Sequence, residues 1–487
     1  MADSPLADPA QPLSVLTSLP PLWPDENMRP AIRAEVLSRN ETIVAIDDDP
    51  TGTQTVHHVP VLTTWAVPDL VAELQRREPL FYILTNSRAL TERNAVALAR
   101  ELGTNLSTAS HVVNRPVVLL SRSDSTLRGH FPAETDALMS AWPRRPDGVL
   151  LAPYFREGGR YTIADVHYVQ DGLQLLPAAQ TEFARDPVFG YHHSRLPEWV
   201  EEKSGGRWLA GQVLSLSIEC IRGAGPEGVA ARLQEVHDGR PVVVNAAHDR
   251  DLEVVVAGLL QAEKAGKVFL ARCAASFVKV RAGISDQGLL SPAKLLLGTH
   301  GGGLIVVGSH VPRTTRQLRA LLSMGGWRAI ELNVERVLDR ASAPAYMADL
   351  AAQVEMALAA EGNVVLFTTR TLLTGETTAE NLAIGEQVSS ALVECVSTIR
   401  TRPRFLLAKG GITSSDLATK ALGVRRAEVL GQIAPGVPVW ELGPESRWPG
   451  LLYIIFPGNV GSDETLAAVA ASLSAAPTVP EQHSVST

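Results

Sequence analysis

Pro116-Val117-Val118-Leu119-Leu120-Ser121-Arg122-Ser123-Asp124-Ser125-Thr126-Leu127-Arg128-Gly129 changes character half-way along. Its first five residues are apolar and β-branched, the pattern of a short buried strand. The residues that follow carry a carboxylate, hydroxyls and two guanidinium groups, and are costly to bury unless they have partners or a ligand. A polar cluster at the carboxyl end of a strand lies where open α/β sheets receive their ligands. Arginine presents a planar fork to carboxylate or phosphate, Asp124 can accept a proton or hold a metal, and the hydroxyls can orient a polyol. The stretch therefore suits a small, oxygen-rich anion. The competing structural reading is a helix N-cap at Asp124 or Ser125 followed by a solvated first turn.

Similar apolar runs recur on both sides of it: Thr42–Ile46, Leu80–Leu84, Gly148–Ala152, Val213–Leu216, Val242–Val244, Val268–Leu270, Leu304–Val307, Val364–Phe367, Phe405–Leu407 and Leu452–Phe456. Amphipathic helical stretches separate many of them, at Glu92–Leu106, Gly228–His237, Thr315–Ser323, Ala345–Glu361 and Asn381–Ser397. Continuous apolar strands alternating with helices predict an α/β fold of two domains, each with a mainly parallel, helix-flanked, Rossmann-like sheet. The Gly301-Gly302-Gly303 region marks the boundary, giving domains over 31–285 and 286–474. Pro-, Ala- and Ser-rich residues 1–30 and 475–487 read as flexible tails.

A chain of 487 residues with net charge −8 lacks the overall basic character of a nucleic-acid or anionic-membrane binder. It contains no apolar run long enough to span a bilayer and no secretory signal pattern at its start, so a cytoplasmic location is expected. Cys220, Cys273 and Cys395 are widely spaced and form no CxxC pair, so neither a disulfide framework nor a zinc site is signalled. The pairs His57-His58 and His192-His193 lack metal-ligand spacing.

Other strand ends repeat the polar theme. Ile43-Val44-Ala45-Ile46 runs into Asp47-Asp48-Asp49-Pro50-Thr51-Gly52, where adjacent acids need a cation, a ligand hydroxyl or a proton to coexist. Either Mg²⁺ binding or proton abstraction fits, and so does a plain acidic turn. Leu84 opens into Thr85-Asn86-Ser87-Arg88, and Arg160 follows Gly158-Gly159. In the second half, Lys409-Gly410-Gly411-Ile412-Thr413, Phe456-Pro457-Gly458-Asn459-Val460-Gly461 and Val307-Gly308-Ser309 each follow a strand. Backbone amides at such turns can cradle phosphate, which suggests a nucleotide bed without a P-loop sequence. Gly223-Ala-Gly-Pro-Glu-Gly228 matches a dinucleotide fingerprint literally, but Pro226 removes a donor from it.

The chain resembles the four-carbon acid sugar kinases, which phosphorylate compounds such as threonate and erythronate with ATP. The resemblance rests on Asp48-Asp49-Pro50-Thr51-Gly52, Asn86-Ser87-Arg88, Asp124-Ser125-Thr126-Leu127-Arg128-Gly129 and Pro153 through Arg160. It continues in Gly308-Ser309 with Thr314 and Gln317, Gly410-Gly411-x-Thr413, Pro435-Gly436-Val437-Pro438 and Gly458-Asn459-x-Gly461. It implies an N-terminal domain for the acid sugar, a C-terminal domain for ATP with Mg²⁺, and transfer across the cleft between them. On this basis Asp124 or Asp48 is the proton acceptor. Asp48, Asp49, Ser87, Arg88, Asp124, Ser125, Thr126, Arg128 and Arg160 contact substrate, with Arg88 and Arg128 on its carboxylate. Ser309, Lys409, Gly410, Gly411, Thr413, Gly458, Asn459 and Gly461 line the nucleotide. The expected partners are these two small molecules, with a homodimer as one assembly to test. The family's last loop usually reads Lys-Ser-Gly-Gly/Asn-Phe-Gly, but Phe456 and Pro457 replace the lysine and its neighbour, and Val311 replaces the second serine of Gly-Ser-x-Ser. Lys409 is the candidate substitute cation. A sensor that binds without turnover, and a dehydrogenase using the glycines around Gly225, are the alternative readings.

Overall fold

The structure, a computed structural model, describes residues 8–474 except 296–299, 340, 372 and 374–377. The chain divides into two compact units, Met1–Asp286 and Gln287–Thr487.

In the first unit a parallel sheet has the spatial order Leu214–Leu216, Arg240–Val244, Gly148–Ala152, Phe269–Cys273, Val117–Arg122, Thr42–Asp47, Leu80–Leu84, Val59–Leu62. Both faces are covered by helices, so the central strands are buried along their length, and apolar continuity was the right signal for them. From Thr42–Asp47 the chain moves to one side of the sheet, to Val59–Leu62 and Leu80–Leu84, and returns to the other side at Val117–Arg122. The loops leaving these two neighbouring strands run to opposite sides, the arrangement in which open α/β sheets form a ligand crevice at the strands' carboxyl ends. A small antiparallel sheet joins Arg160–Ile163, Val166–Asp171, Gln174–Pro177 and Gln11–Pro12.

The segment expected to be a loose N-terminal tail is instead held from Gln11 onward. Beyond that strand pairing, the Pro20 carbonyl accepts from Arg222 Nη1 at 2.6 Å, and Met28–Ser38 is a helix. The Trp23 ring occupies the space where a Cβ on Gly225 would stand, 2.3 Å away. The glycine fingerprint therefore has a packing role. It lies inside the Ile218–Gln234 helix, kinked at Gly225, and the helix begins before the glycines rather than after them. Residues 475–487, the expected C-terminal tail, lie outside the described residues.

The second unit repeats the logic. Its sheet has the order Arg426–Ala434, Val437–Leu442, Leu452–Phe456, Phe405–Lys409, Leu304–Val307, Asn363–Thr368, Trp327–Leu332, antiparallel across the first three strands and parallel thereafter. From Leu304–Val307 the chain passes to Trp327–Leu332 and Asn363–Thr368 on one side, then crosses to Phe405–Lys409 on the other. The switch point lies between Val307 and Lys409, where the Gly308-Ser309 and Gly410-Gly411 turns meet. Among the described residues, no helix is long and apolar enough to cross a membrane.

Candidate functional site

The crevice of the first unit is built by ion pairs between neighbouring strand ends. Asp47 closes the central strand, and Arg122, opposite it in register, donates Nη1 to Asp47 Oδ1 at 2.8 Å. Burial pushes the Asp47 carboxyl up to about 7, with Arg122 opposing the shift, and its Oδ2 is buried without a hydrogen bond. Asp48 takes a bidentate fork from Arg88, Nε to Oδ2 at 3.1 Å and Nη2 to Oδ1 at 2.5 Å. The third Arg88 nitrogen, Nη1, reaches Asp49 Oδ2 at 3.3 Å. Asp49 Oδ1 also caps the short helix Pro50–Thr53 by accepting from the Thr51 amide at 2.8 Å.

Asp124 lies on the next loop. Its Oδ2 accepts from Arg128 Nε at 2.6 Å and from the Thr126 hydroxyl, while its Oδ1 makes no hydrogen bond among the described residues. Burial disfavours its charge, but the Arg88 and Arg128 guanidiniums outweigh burial and hold the carboxyl well below the usual carboxylate range. The loop is fixed from below: His167 bonds the Ser125 carbonyl at 2.7 Å and Tyr191 donates to the Thr126 carbonyl at 2.9 Å. Burial pushes His167 down to about 4, so its ring is neutral at physiological pH. Arg160 stands 5.4 Å from the Phe183 ring centre, with Arg128 at 5.2 Å from the same ring.

In the second unit, four adjacent parallel strands end side by side. The Gly308 and Ser309 amides both lie 3.3 Å from the Lys409 carbonyl. Gly410 has φ +123°, and a Cβ on it would stand 3.0 Å from Ser309 Cβ, so glycine permits this close approach of the two turns. Gly411 begins the helix Gly411–Asp416, with Thr413 in its first turn. The Phe456–Gly461 loop is held by Thr314, which donates to the Gly458 carbonyl at 3.1 Å, and by Gln317, which donates to the Val460 and Ser462 carbonyls at 2.9 and 2.7 Å. Arg370, just beyond the Asn363–Thr368 strand, donates Nη2 to the Ser309 carbonyl at 2.6 Å and to Thr315 Oγ1 at 2.9 Å. It has no carboxylate partner among the described residues.

Residues 43–281 match the model of a sugar-binding N-terminal domain, and residues 304–466 that of a nucleotide-binding C-terminal domain. The chain belongs to the four-carbon acid sugar kinase family. It is 26% identical over 406 residues to a D-threonate kinase of Bordetella bronchiseptica, covering 82% of this chain and 87% of that protein. A D-erythronate kinase of Heliobacterium modesticaldum is 27% identical over 225 residues, 44% of this chain and 47% of that protein. A solved structure from Salmonella typhimurium LT2 shares the fold at TM-score 0.61 and 17% identity, covering 88% of this chain and 98% of its own. A Haemophilus influenzae protein does so at TM-score 0.59 and 17% identity, with coverage of 88% and 99%.

Of the residues given roles by family motifs, the geometry gathers Asp48, Asp49, Arg88, Asp124, Ser125, Thr126 and Arg128 at one strand-end crevice and shows what several of them pair with. Each guanidinium nitrogen of Arg88 donates to Asp48 or Asp49, so Arg88 positions those acids, while Nη1 and Nη2 each keep a second N–H. Ser87 is fully buried and donates to Glu134 Oε1 at 2.7 Å, so its hydroxyl is engaged inside the protein. The three consecutive acids do not form a cation cage, since Arg122 and Arg88 pair with them, and the described residues contain no group of three potential metal ligands.

Lys409 has a structural role at the Phe456–Gly461 loop. Its side chain is fully buried, and Nζ donates to the Pro457 and Gly458 carbonyls at 2.6 and 3.2 Å and lies 4.0 Å from the Phe456 ring centre. It anchors the loop from which the family lysine is missing, using two of its three N–H donors on those carbonyls. Sequence reasoning missed Arg272, Glu134 and Arg370. Each sits beside an element already identified, but neither apolar pattern nor motif singles it out.

Proposed function

We propose that the protein is an ATP-dependent kinase that phosphorylates a hydroxyl of a small sugar acid, a four-carbon aldonate such as threonate or erythronate or a near relative. The observation that carries this reading is Asp124 Oδ1. It belongs to a carboxylate held ionised by two arginines and carries no hydrogen bond among the described residues, at a strand-end crevice of a family whose named relatives are sugar acid kinases. Asp48 has both oxygens occupied by Arg88, which favours Asp124 as the proton acceptor.

In the proposed reaction the substrate hydroxyl oxygen attacks the γ-phosphorus of ATP, the bond from γ-phosphorus to the β–γ bridging oxygen breaks, and ADP leaves. The hydroxyl proton passes to Asp124 Oδ1. A weakly basic carboxylate suffices as acceptor because proton transfer accompanies a loose transition state in which positioning and charge neutralisation dominate. Ser125, on the same loop, orients the remaining hydroxyls, while the buried Thr126 hydroxyl holds Asp124 in place. The Ser309, Gly410-Gly411-Thr413 and Gly458-Asn459-Gly461 turns receive the nucleotide, and Arg370 supplies the guanidinium for its phosphates. Mg²⁺ accompanies the nucleotide and neutralises phosphate charge when bound.

The test is ADP release with Mg-ATP against C3 to C6 aldonic acids. Asp124→Asn should lower kcat by roughly 10²–10⁴-fold with folding intact. Arg370→Ala should weaken ATP binding roughly 10- to 100-fold and leave acid binding unchanged. ATP and acid binding without turnover in the wild-type protein would favour a sensor instead.

A further inference from the structure

The arginines at the carboxyl edge of the first sheet fall into two groups. Arg88, Arg122 and Arg128 each pair with an aspartate. Arg272 has no such partner among the described residues, although it is only 5% exposed. It lies in the Phe269–Cys273 strand, in register with Ser121 at the start of the Asp124 loop. Its Nη2 donates to the Leu127 and Arg128 carbonyls at 3.4 and 3.1 Å, while Nε and Nη1 make no hydrogen bond among the described residues. The guanidinium carbon is 5.3 Å from the Phe131 ring centre and 5.2 Å from that of Trp199, and these two rings stack on each other.

A guanidinium taken out of water without a counter-ion is costly, and two carbonyls compensate only part of that cost. An anion that arrives with the ligand supplies the rest. The position is also right for a substrate. Gly129, with φ +123°, has its bare Cα between the acid and the arginine. A Cβ there would stand 3.2 Å from Asp48 Oδ2 and 3.6 Å from Arg272 Nη2. One small molecule can therefore reach both the acidic cluster and Arg272.

We propose that Arg272 receives the carboxylate of the sugar acid and sets the preference for acids over neutral polyols. This deepens the kinase reading and rests on it for the identity of the ligand. Arg272 takes the role that motif comparison gives to Arg88 and Arg128, using a planar fork fixed by the two aromatic rings.

The experiment compares wild type, Arg272→Gln and Arg272→Lys by calorimetric binding and by turnover. Threonate and erythronate are the acid probes, threitol and erythritol the neutral ones, and ADP is titrated separately. The expected result is a loss of roughly 100-fold or more in acid affinity and kcat/KM for Arg272→Gln, with partial recovery in the lysine variant and ADP affinity within about threefold of wild type. Polyol affinity should change little, so the acid-to-polyol ratio collapses. A ratio unchanged in Arg272→Gln overturns the proposal, as does a wild-type protein that binds neither acid. Acid binding that depends on Arg272 without turnover supports the proposal and counts against the kinase reading alone.

Discussion

Replacing Arg88 with glutamine separates a positioning role from a substrate-binding role. Asp48 is 4% exposed and Arg88 16%, and the fork between them uses both carboxylate oxygens. Two unit charges about 3 Å apart at an effective dielectric of about 20 attract by roughly 5 kcal/mol before desolvation is counted. Removing one partner of a buried pair costs about 3–5 kcal/mol, because the other charge is left uncompensated. Arg122 Nη1, 3.7 Å from Asp48 Oδ1, stays in place and takes up part of the loss, which puts the expected cost at about 3 kcal/mol. The assay is thermal unfolding at pH 7.5, where a unit of this size should lose roughly 5–10 °C. Arg88→Gln combined with Asp48→Asn leaves two neutral amides and should recover about 2 kcal/mol of the deficit. If Arg88→Gln unfolds at the wild-type temperature and instead raises the KM for the acid, Arg88 faces the ligand and the assignment of its nitrogens to Asp48 and Asp49 is refuted.

Two further outcomes are expected. Burial, reinforced by Asp48, pushes the Glu134 carboxyl up to about 7 from 4.5, so the folded state holds a proton that the unfolded state releases. That contribution is complete below pH 4.5 and is lost as pH rises through 7; Glu134→Gln should remove this slope and gain about 2 kcal/mol over wild type at pH 8, read from denaturant midpoints. Gly52 packs directly over Asp47, where a Cβ would fall 1.9 Å from Oδ2, so Gly52→Ala should destabilise the first unit by roughly 2 kcal/mol or more in chemical denaturation.

Much of the frame was legible in the chain. Thr42–Asp47, Leu80–Leu84, Val117–Arg122 and Phe405–Lys409 are strands covered on both faces, and such strands must be apolar without interruption. The polar residues that break each run mark its carboxyl end, which is why Asp48, Arg88, Asp124 and Gly410 were found. Strands of the other kind were missed. Arg426–Ala434 alternates between buried and partly exposed residues, and Trp327–Leu332 lies at the sheet edge with little buried surface, so neither forms a continuous apolar run.

The sequence by itself determined the residue types at each strand end, and with them the class of chemistry. Only the tertiary structure decided who pairs with whom. Arg88 meets Asp48 across 40 positions and Arg122 meets Asp47 across 75, separations that strand order sets and local pattern does not encode. The same ordering left Arg272 beside the crevice with no direct ion pair among the described residues and turned Lys409 into the anchor of a loop. A charge becomes a ligand site or an internal strut according to which opposite charge the fold brings within about 4 Å of it.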